Sequence, residues 1–237
     1  MTKILPIAVP AHAMLLLEFI YRTETGKNRP ACYEVIYGHN QSKLPKPLTS
    51  MSLGEVIDAQ ADWTKRFKSS AAGAGQFMRA TLIGIAKEIP ALRGDVPFNG
   101  PLQDRLAYYL LLRRGYNDFI DGRTAIIAFG KALAQEWASF PVLADCKGAH
   151  RQVRRGQSYY AGDGLNKSLI TPEMVEAMLR TVLQAAKEEI RHAPTPIAKP
   201  ENSGPTPPAM TDFSPVPEPS AWAKLFAALI KLFGGSR

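Results

Sequence analysis

The stretch Phe19-Ile-Tyr-Arg-Thr-Glu24-Thr-Gly26 closes the first helical pattern of the chain and carries its most informative acid. Upstream of it, apolar residues recur at helical spacing and predict a helix over 13–22. A carboxyl group at the end of a buried helix meets the negative end of the helix dipole and loses hydration, and both effects raise its pKa. A raised pKa suits a general acid at neutral pH, whereas an exposed glutamate at a helix end is the ordinary alternative.

The sequence around this stretch predicts an α+β domain that is mostly helical, with a small β element. The alternating residues 33–38 (YEVIYG) predict a short strand. Thr49 or Ser52 is expected to cap a helix that runs to about Lys65. Further helices are predicted over 76–88, 102–114, 124–138 and, after Thr171-Pro172-Glu173, to about 191, with irregular structure over 140–168.

Composition and charge narrow the class of protein. The 237 residues are 46% hydrophobic and 21% charged, which excludes a wholly disordered, fibrous or polytopic membrane protein. The net charge of +8 favours a polyanionic partner: nucleic acid, acidic wall polymer or anionic lipid. Nucleic acid is the least favoured, because the basic residues are scattered and no recognition motif is present.

The C-terminal part of the chain differs from the rest. Residues 194–219 contain nine of the 19 prolines, so we expect residues 193–219 to be an extended, disordered linker after a domain over 1–192. Residues 220–237 predict a cationic amphipathic helix suited to an anionic membrane, with docking onto the domain as the alternative. The residues expected to meet the membrane are Trp222, Lys224, Phe226, Leu229, Lys231 and Phe233.

Several kinds of chemistry lack a signature in this chain. It contains neither a phosphate-binding loop of the Gly-x-x-x-x-Gly-Lys-Ser/Thr type nor a His-Glu-x-x-His pair, and its four histidines do not cluster. Two cysteines, Cys32 and Cys146, cannot form a zinc site with paired spacing, although they leave open a single disulfide. We therefore expect no metal and no cofactor.

Four segments together resemble the lambda-phage endolysin family of lysozyme-like lytic transglycosylases. They are FIYRTETG (19–26), YEVIYG (33–38), KSSAAGAGQF (68–77) and EWASFP (136–141), and they occur in this order within residues 15–165. The resemblance implies a lysozyme-like fold in which the single catalytic glutamate of the family falls on Glu24. That residue would protonate the glycosidic oxygen between N-acetylmuramic acid and N-acetylglucosamine, then act as base on the muramyl C6 hydroxyl, giving a 1,6-anhydro sugar.

The resemblance also implies where peptidoglycan would bind. Small residues in the 68–77 turn would let a polysaccharide approach the backbone, and Gln76 could bond sugar hydroxyls or amides through both ends of its side chain. One departure is Gly75, which occupies a usually aromatic position of the family. The expected substrate-binding residues are Tyr33, Tyr37, Ser69, Ser70, Gly73, Gln76, Phe77, Tyr159 and Tyr160.

Two rival functions follow from the same sequence. A hydrolysing muramidase ordinarily needs a second carboxylate, and Asp62, Asp145 or Asp163 could approach Glu24 only through the fold. The other rival is a wall- or membrane-binding protein without activity. The basic stretch 147–156, with Lys147, Arg151, Arg154 and Arg155, is expected to contact anionic muropeptide or wall polymer, or to be a solvated loop.

The expected location follows from the N-terminus and from the resemblance. Residues 1–13 imitate a signal peptide, but Pro6 and Pro10 interrupt a short apolar stretch, so we expect no cleaved signal. A monomer made in the cytoplasm of a bacterial host, acting on peptidoglycan in the periplasm or cell wall after release, is what the resemblance implies.

Overall fold

A computed structural model of the chain describes residues 3–192. The expectations for residues 193–219 and 220–237, including every proposed membrane contact, therefore lie outside the described residues. In chain order the α-helices are α1 (Ala11–Thr25), α2 (Leu53–Phe67), α3 (Arg79–Glu88), α4 (Gly100–Arg113), α5 (Tyr116–Ile120), α6 (Ile126–Glu136) and α7 (Pro172–His192). Short 3-10 turns occupy Ala31–Glu34, Tyr37–Lys43 and Leu48–Ser50.

A small antiparallel hairpin joins α6 to α7. Its strands are β1 (Cys146–Lys147) and β2 (Gln152–Val153), with Cys146 opposite Val153 and Lys147 opposite Gln152. The prediction of a mostly helical α+β domain with a small β element is confirmed at this level, but the strands lie in the stretch expected to be irregular. The two cysteines are free thiols.

The predicted strand over 33–38 is wrong as a strand. Tyr33 and Glu34 belong to a 3-10 turn, and another such turn begins at Tyr37. Only Val35 and Ile36 are extended: Ile36 bridges to Ala72, which in turn bridges to Phe77. The alternating pattern therefore marks two buried apolar residues between turns, at 3% and 1% exposure, rather than one face of a sheet.

Local signals explain three of the helix boundaries. Ser52 caps α2 through a reciprocal capping box with Glu55. The Asn99 side chain accepts a hydrogen bond from the Leu102 N–H at the start of α4. At the C-terminal end of α1, Gly26 adopts the left-handed conformation with φ of 66°, and its N–H donates to the Arg22 carbonyl.

The core is built around α4. Ten of its fourteen residues are buried, as expected for a helix surrounded by other elements. Helix α1 packs on it, and the buried residues of α1 include Leu16, Leu17 and Ile20, each at most 1% exposed. Within residues 3–192 the structure contains no helix with the length and apolar content needed to cross a membrane.

Candidate active site

Glu24 lies within the last turn of α1, one residue earlier in the helix than its C-terminal Thr25. The pattern predicted a helix over 13–22, with Glu24 just beyond it, whereas α1 continues to Thr25. Two threonine hydroxyls near its end donate back to carbonyls four residues earlier. Thr23 Oγ1 donates to the Phe19 carbonyl at 2.8 Å, and Thr25 Oγ1 to the Tyr21 carbonyl at 2.6 Å. The Glu24 carboxyl is thus held at the negative end of α1.

The immediate partner of Glu24 is Ser139, 115 residues later in the chain. The Ser139 hydroxyl donates a hydrogen bond to Glu24 Oε1. Burial raises the pKa of the Glu24 carboxyl to about 7, and hydrogen bonds from the Ser139 side chain and backbone oppose part of that rise. At neutral pH the group is therefore divided between its acid and its base form, as a general acid and base requires.

Glu24 is electrostatically isolated within the described part of the chain. No charged side chain of residues 3–192 contributes to its pKa shift. The three aspartates considered as second carboxylates have other partners. Asp62 pairs with Arg66 at 3.1 Å, Asp145 accepts from the Arg155 N–H at 2.8 Å, and Asp163 accepts from Leu165 and Asn166, which lowers its pKa to about 2.

The segment after α6, residues 137–141, connects the acid to the small-residue turn. Its Trp137 indole N–H donates to the Gly75 carbonyl at 3.2 Å. Its Phe140 ring packs edge-on against the Phe19 ring of α1, with centroids 5.8 Å apart. Three of the four sequence segments that carry the family resemblance therefore meet directly, through Glu24, Ser139 and Gly75.

The small-residue turn is a tight reversal between Ala72 and Phe77. These two residues exchange backbone hydrogen bonds of 3.1 and 2.8 Å, and the Gln76 N–H donates to the Gly73 carbonyl at 3.0 Å. The Gly73 N–H donates to the Val35 carbonyl at 2.7 Å, which joins the turn to the second resembling segment. All four segments thus form one continuous contact network around the candidate acid.

Two buried glutamines hold this turn from behind. Gln103 of α4 accepts from the Ala74 N–H at 2.8 Å and donates to the Tyr33 and Phe98 carbonyls. Gln60 of α2 donates to the Ser70 and Phe77 carbonyls at 2.5 and 2.8 Å, while its own buried Oε1 has no partner in the described residues. Sequence reasoning missed both, although a polar residue inside an apolar helical pattern is a visible signal.

Gly73 is required by this packing. Its φ is +71°, and a Cβ there would lie 2.2 Å from Gln103 Oε1. We expect Gly73→Ala to lower the free energy of unfolding by roughly 2 kcal/mol through backbone strain and loss of the Gln103 contact. Gly84→Ala in α3 is the matched control, since a Cβ there would meet nothing within 4 Å. It should raise the free energy of unfolding by about 0.5–1 kcal/mol. Urea unfolding of both variants checks this, and equal stability of the Gly73→Ala and wild-type chains would contradict it.

The turn presents fewer groups to a ligand than the sequence suggested. Phe77 is 1% exposed, Ser70 and Gly73 are also buried, and only Ser69 and Gln76 are partly exposed. The Gln76 amide NH₂ donates to the Gly73 and Val35 carbonyls. Its Oε1 accepts no hydrogen bond within the described residues. The family's aromatic position, Gly75 here, has no room for a ring, because a Cβ would lie 2.8 Å from Phe77 Cζ.

The four tyrosines of the predicted site fall in different settings. Tyr33 is 6% exposed, and its hydroxyl donates to the Asp104 carboxylate, 2.9 Å from each of the two oxygens. It therefore has no open face for a sugar. Tyr37 is 46% exposed. Tyr159 and Tyr160 are half-buried and pack edge to face with centroids 5.2 Å apart, and the Tyr160 hydroxyl donates to the Gln135 carbonyl.

Asp104 is a buried acid that the sequence did not single out. It lies 6% exposed in the middle of α4 and accepts from the Tyr21 hydroxyl at 2.9 Å as well as from Tyr33. Arg29 approaches its Oδ2 at 3.4 Å and also pairs with Glu18. Burial raises the pKa of Asp104, while Arg29 and the two hydroxyls oppose the rise. With both oxygens engaged, this carboxylate is a structural acceptor that fixes α1 and the Tyr33 turn to α4.

Comparisons with known proteins found no family model, no curated protein and no solved structure that matches the chain. Within residues 3–192, no group of three or more His, Cys, Asp or Glu side chains is arranged to hold a metal ion.

Proposed function

We propose that the protein is a peptidoglycan-cleaving enzyme, a lytic transglycosylase of lysozyme-like fold in which Glu24 is the only acid and base. One observation carries the proposal: the Glu24 carboxyl accepts a hydrogen bond from Ser139, burial raises its pKa to about 7, and no charged side chain of the described residues contributes to that shift. A lone carboxyl poised between its two protonation states matches a reaction in which one group first gives and then takes a proton.

The proposed reaction uses only this carboxyl and the substrate. Protonated Glu24 gives its proton to the glycosidic oxygen, and the bond from that oxygen to the muramyl anomeric carbon breaks. The muramyl C6 hydroxyl then attacks the anomeric carbon and yields its proton to the Glu24 carboxylate. The products are a 1,6-anhydromuramyl end and a free N-acetylglucosamine hydroxyl, Glu24 is protonated again, and no water is consumed.

The surroundings of Glu24 support a role in binding glycan. The turn at 72–77 places partly exposed Gln76 and backbone groups in the network that contains the acid. Amide and backbone groups are suitable partners for the hydroxyls and acetamides of amino sugars. The hydrolysing muramidase is the less favoured rival, because its second carboxylate should act on the Glu24 pKa, and none in residues 3–192 does.

The Ser139 hydroxyl gives a direct test of how the acid is tuned. Ser139→Ala removes a hydrogen bond that favours the charged carboxylate, so the pKa of Glu24 should rise further. The alkaline fall of the pH–rate profile for murein cleavage is therefore expected to move to higher pH. Ser168→Ala is the control, because that hydroxyl donates to the Gly156 carbonyl and does not contact Glu24. An unshifted profile in Ser139→Ala would contradict the assigned contact.

Digestion of purified murein tests the proposed activity itself. Insoluble sacculi incubated with the full chain should release soluble glycan fragments, with EDTA present or absent. No release at any protein concentration at which the chain is folded would overturn the enzymatic proposal. Sedimentation of the chain with sacculi that stay intact would instead support a wall-binding protein without activity.

A further inference from the structure

The hairpin after the candidate site carries several exposed cations. Lys147 of β1, Arg151 in the loop between the strands and Arg154 just after β2 are all exposed. None of the three forms an ion pair within residues 3–192. Arg155, which the sequence placed in the same group, differs: it pairs with Glu173 and Glu176 of α7 at 2.9 and 2.6 Å and is structural.

The hairpin is rigidly built rather than a loose basic loop. The Gly148 N–H donates to the Arg151 carbonyl at 2.9 Å, and the Ala149 N–H donates to the Tyr159 carbonyl at 2.9 Å. A Cβ at Gly148 would lie 2.6 Å from that same Tyr159 oxygen, so the hairpin sits directly on the 159–161 backbone. Arg151 Nε donates to the Ala161 carbonyl at 3.3 Å, and the terminal nitrogens of this exposed side chain make no hydrogen bond within residues 3–192.

The backbone just after the hairpin, at residues 157–158, is bonded to residues 138–142, the segment that contains Ser139. The Val142 N–H donates to the Gln157 carbonyl, Pro141 bridges to Ser158, and the Ser158 hydroxyl donates to the Ala138 carbonyl at 2.8 Å. Ala138 precedes Ser139, the partner of Glu24. Lys131 of α6 adds a fourth cation, with its Nζ 6.0 Å from the Tyr159 ring centroid.

Two acids lie near the hairpin, and neither forms an ion pair with its three cations within residues 3–192. Asp145 accepts from the Arg155 N–H, and both oxygens of Asp163 accept hydrogen bonds from its own turn. Hydrogen bonds from Asn166 and Leu165 lower the pKa of Asp163 to about 2, and His150 in the hairpin loop adds a smaller effect in the same direction. The four cations Lys131, Lys147, Arg151 and Arg154 outnumber these two carboxylates. A surplus of positive charge beside a candidate glycan site is a surface for carboxylate or phosphate.

We propose that the hairpin cations Lys147, Arg151 and Arg154 bind the carboxylates of the peptide stem carried by the muramyl residue that reacts at Glu24. The inference rests on the proposed function. In murein the stem is attached to the lactyl group of N-acetylmuramic acid, so a muramyl ring bound at Glu24 must project its acidic peptide from the site. The hairpin is the neighbouring element whose charge complements that peptide.

The test uses two substrates, intact sacculi and glycan strands from which an amidase has removed the peptides, and compares each variant with the wild-type chain on the same substrate. The full chain with Lys147, Arg151 and Arg154 all changed to Gln should lose roughly tenfold in kcat/KM on intact sacculi, the effect of three exposed ion pairs of ordinary strength. It should match the wild-type chain on stripped glycan. The control changes three exposed lysines elsewhere, Lys65, Lys87 and Lys187, to Gln and removes the same net charge.

A second variant guards against loss of the Arg151 anchor. Lys147→Glu with Arg154→Glu alters two side chains that make no hydrogen bond within residues 3–192, and it should reproduce the selective loss. Equal losses in the hairpin and control variants, equal losses on both substrates, or a loss seen only with phosphate-bearing wall polymer would each overturn the inference. If the wild-type chain cleaves neither substrate, the proposed function fails, and this inference fails with it.

Discussion

Changing Glu24 to Gln is expected to reduce murein cleavage by roughly 10²–10⁴-fold or more while leaving the fold intact. The amide matches the carboxyl in size and can still accept the hydrogen bond from Ser139, but it can neither donate nor regain the catalytic proton. Because burial penalises the charged carboxylate, the neutral amide should be at least as stable in this position at pH 8 as the native side chain. Release of soluble fragments and thermal unfolding measure the two effects separately.

Glu18→Gln is the matched control for this variant. It lies on the same helix, it removes the same charge, and its ion pair with Arg29 is partly exposed at 39% for each side chain. Cleavage should stay near the wild-type rate. Retention of most activity by the Glu24→Gln chain, with the same products, would remove Glu24 from the mechanism whatever the control shows.

The second large effect is on stability, and it concerns Asp104. Asp104→Ala leaves two tyrosine hydroxyls, those of Tyr21 and Tyr33, without their acceptor inside the core. Each orphaned buried group costs about 1–3 kcal/mol, so we expect the free energy of unfolding to fall by roughly 3 kcal/mol. Chemical denaturation of the purified chain measures this change.

Two variants set the scale of the Asp104 effect. Asp62→Ala removes an exposed partner of Arg66 on α2 and should change stability by less than about 0.5 kcal/mol. Tyr33→Phe removes one of the donors and should cost about 1 kcal/mol. If the Asp104→Ala and Asp62→Ala chains are equally stable, the buried network does not hold α1 to α4 as described.

Elements with strong local signals were predictable from the sequence. The Ser52 capping box, the Asn99 cap before Pro101 and the Thr171-Pro172 start are each decided by neighbouring residues, and the corresponding helices begin within three residues of the expected positions. The five-residue helix α5 was missed, because so short a segment has too few positions to show a period.

The error at residues 33–38 has a tertiary cause. The alternation of β-forming residues is present, but the Tyr33 hydroxyl bonds to Asp104, 71 residues away, and the Tyr33 backbone lies in a 3-10 turn. Only Ile36 is left to bridge to Ala72. Strand preference is weak where a side chain gains more from a distant buried partner than from a neighbouring strand.

The candidate site was predictable in part for a similar reason. Glu24 stands out in sequence by its place at the end of an apolar helix. The Ser139 contact spans 115 residues, and nothing local to either residue reveals it. The burial of Tyr33 and Phe77 was equally invisible, because an aromatic residue in a short motif is compatible with either a core or a ligand contact until the packing around it is known.

The most direct test of the central claim is mass spectrometry of the fragments released from purified murein. If Glu24 acts alone and the muramyl C6 hydroxyl is the nucleophile, every new muramyl end should be a 1,6-anhydro sugar, lighter by one water than a reducing end and resistant to borohydride. New ends that carry a reducible sugar would contradict the account, since they require water as the nucleophile and a hydrolysing site with a second group to activate it.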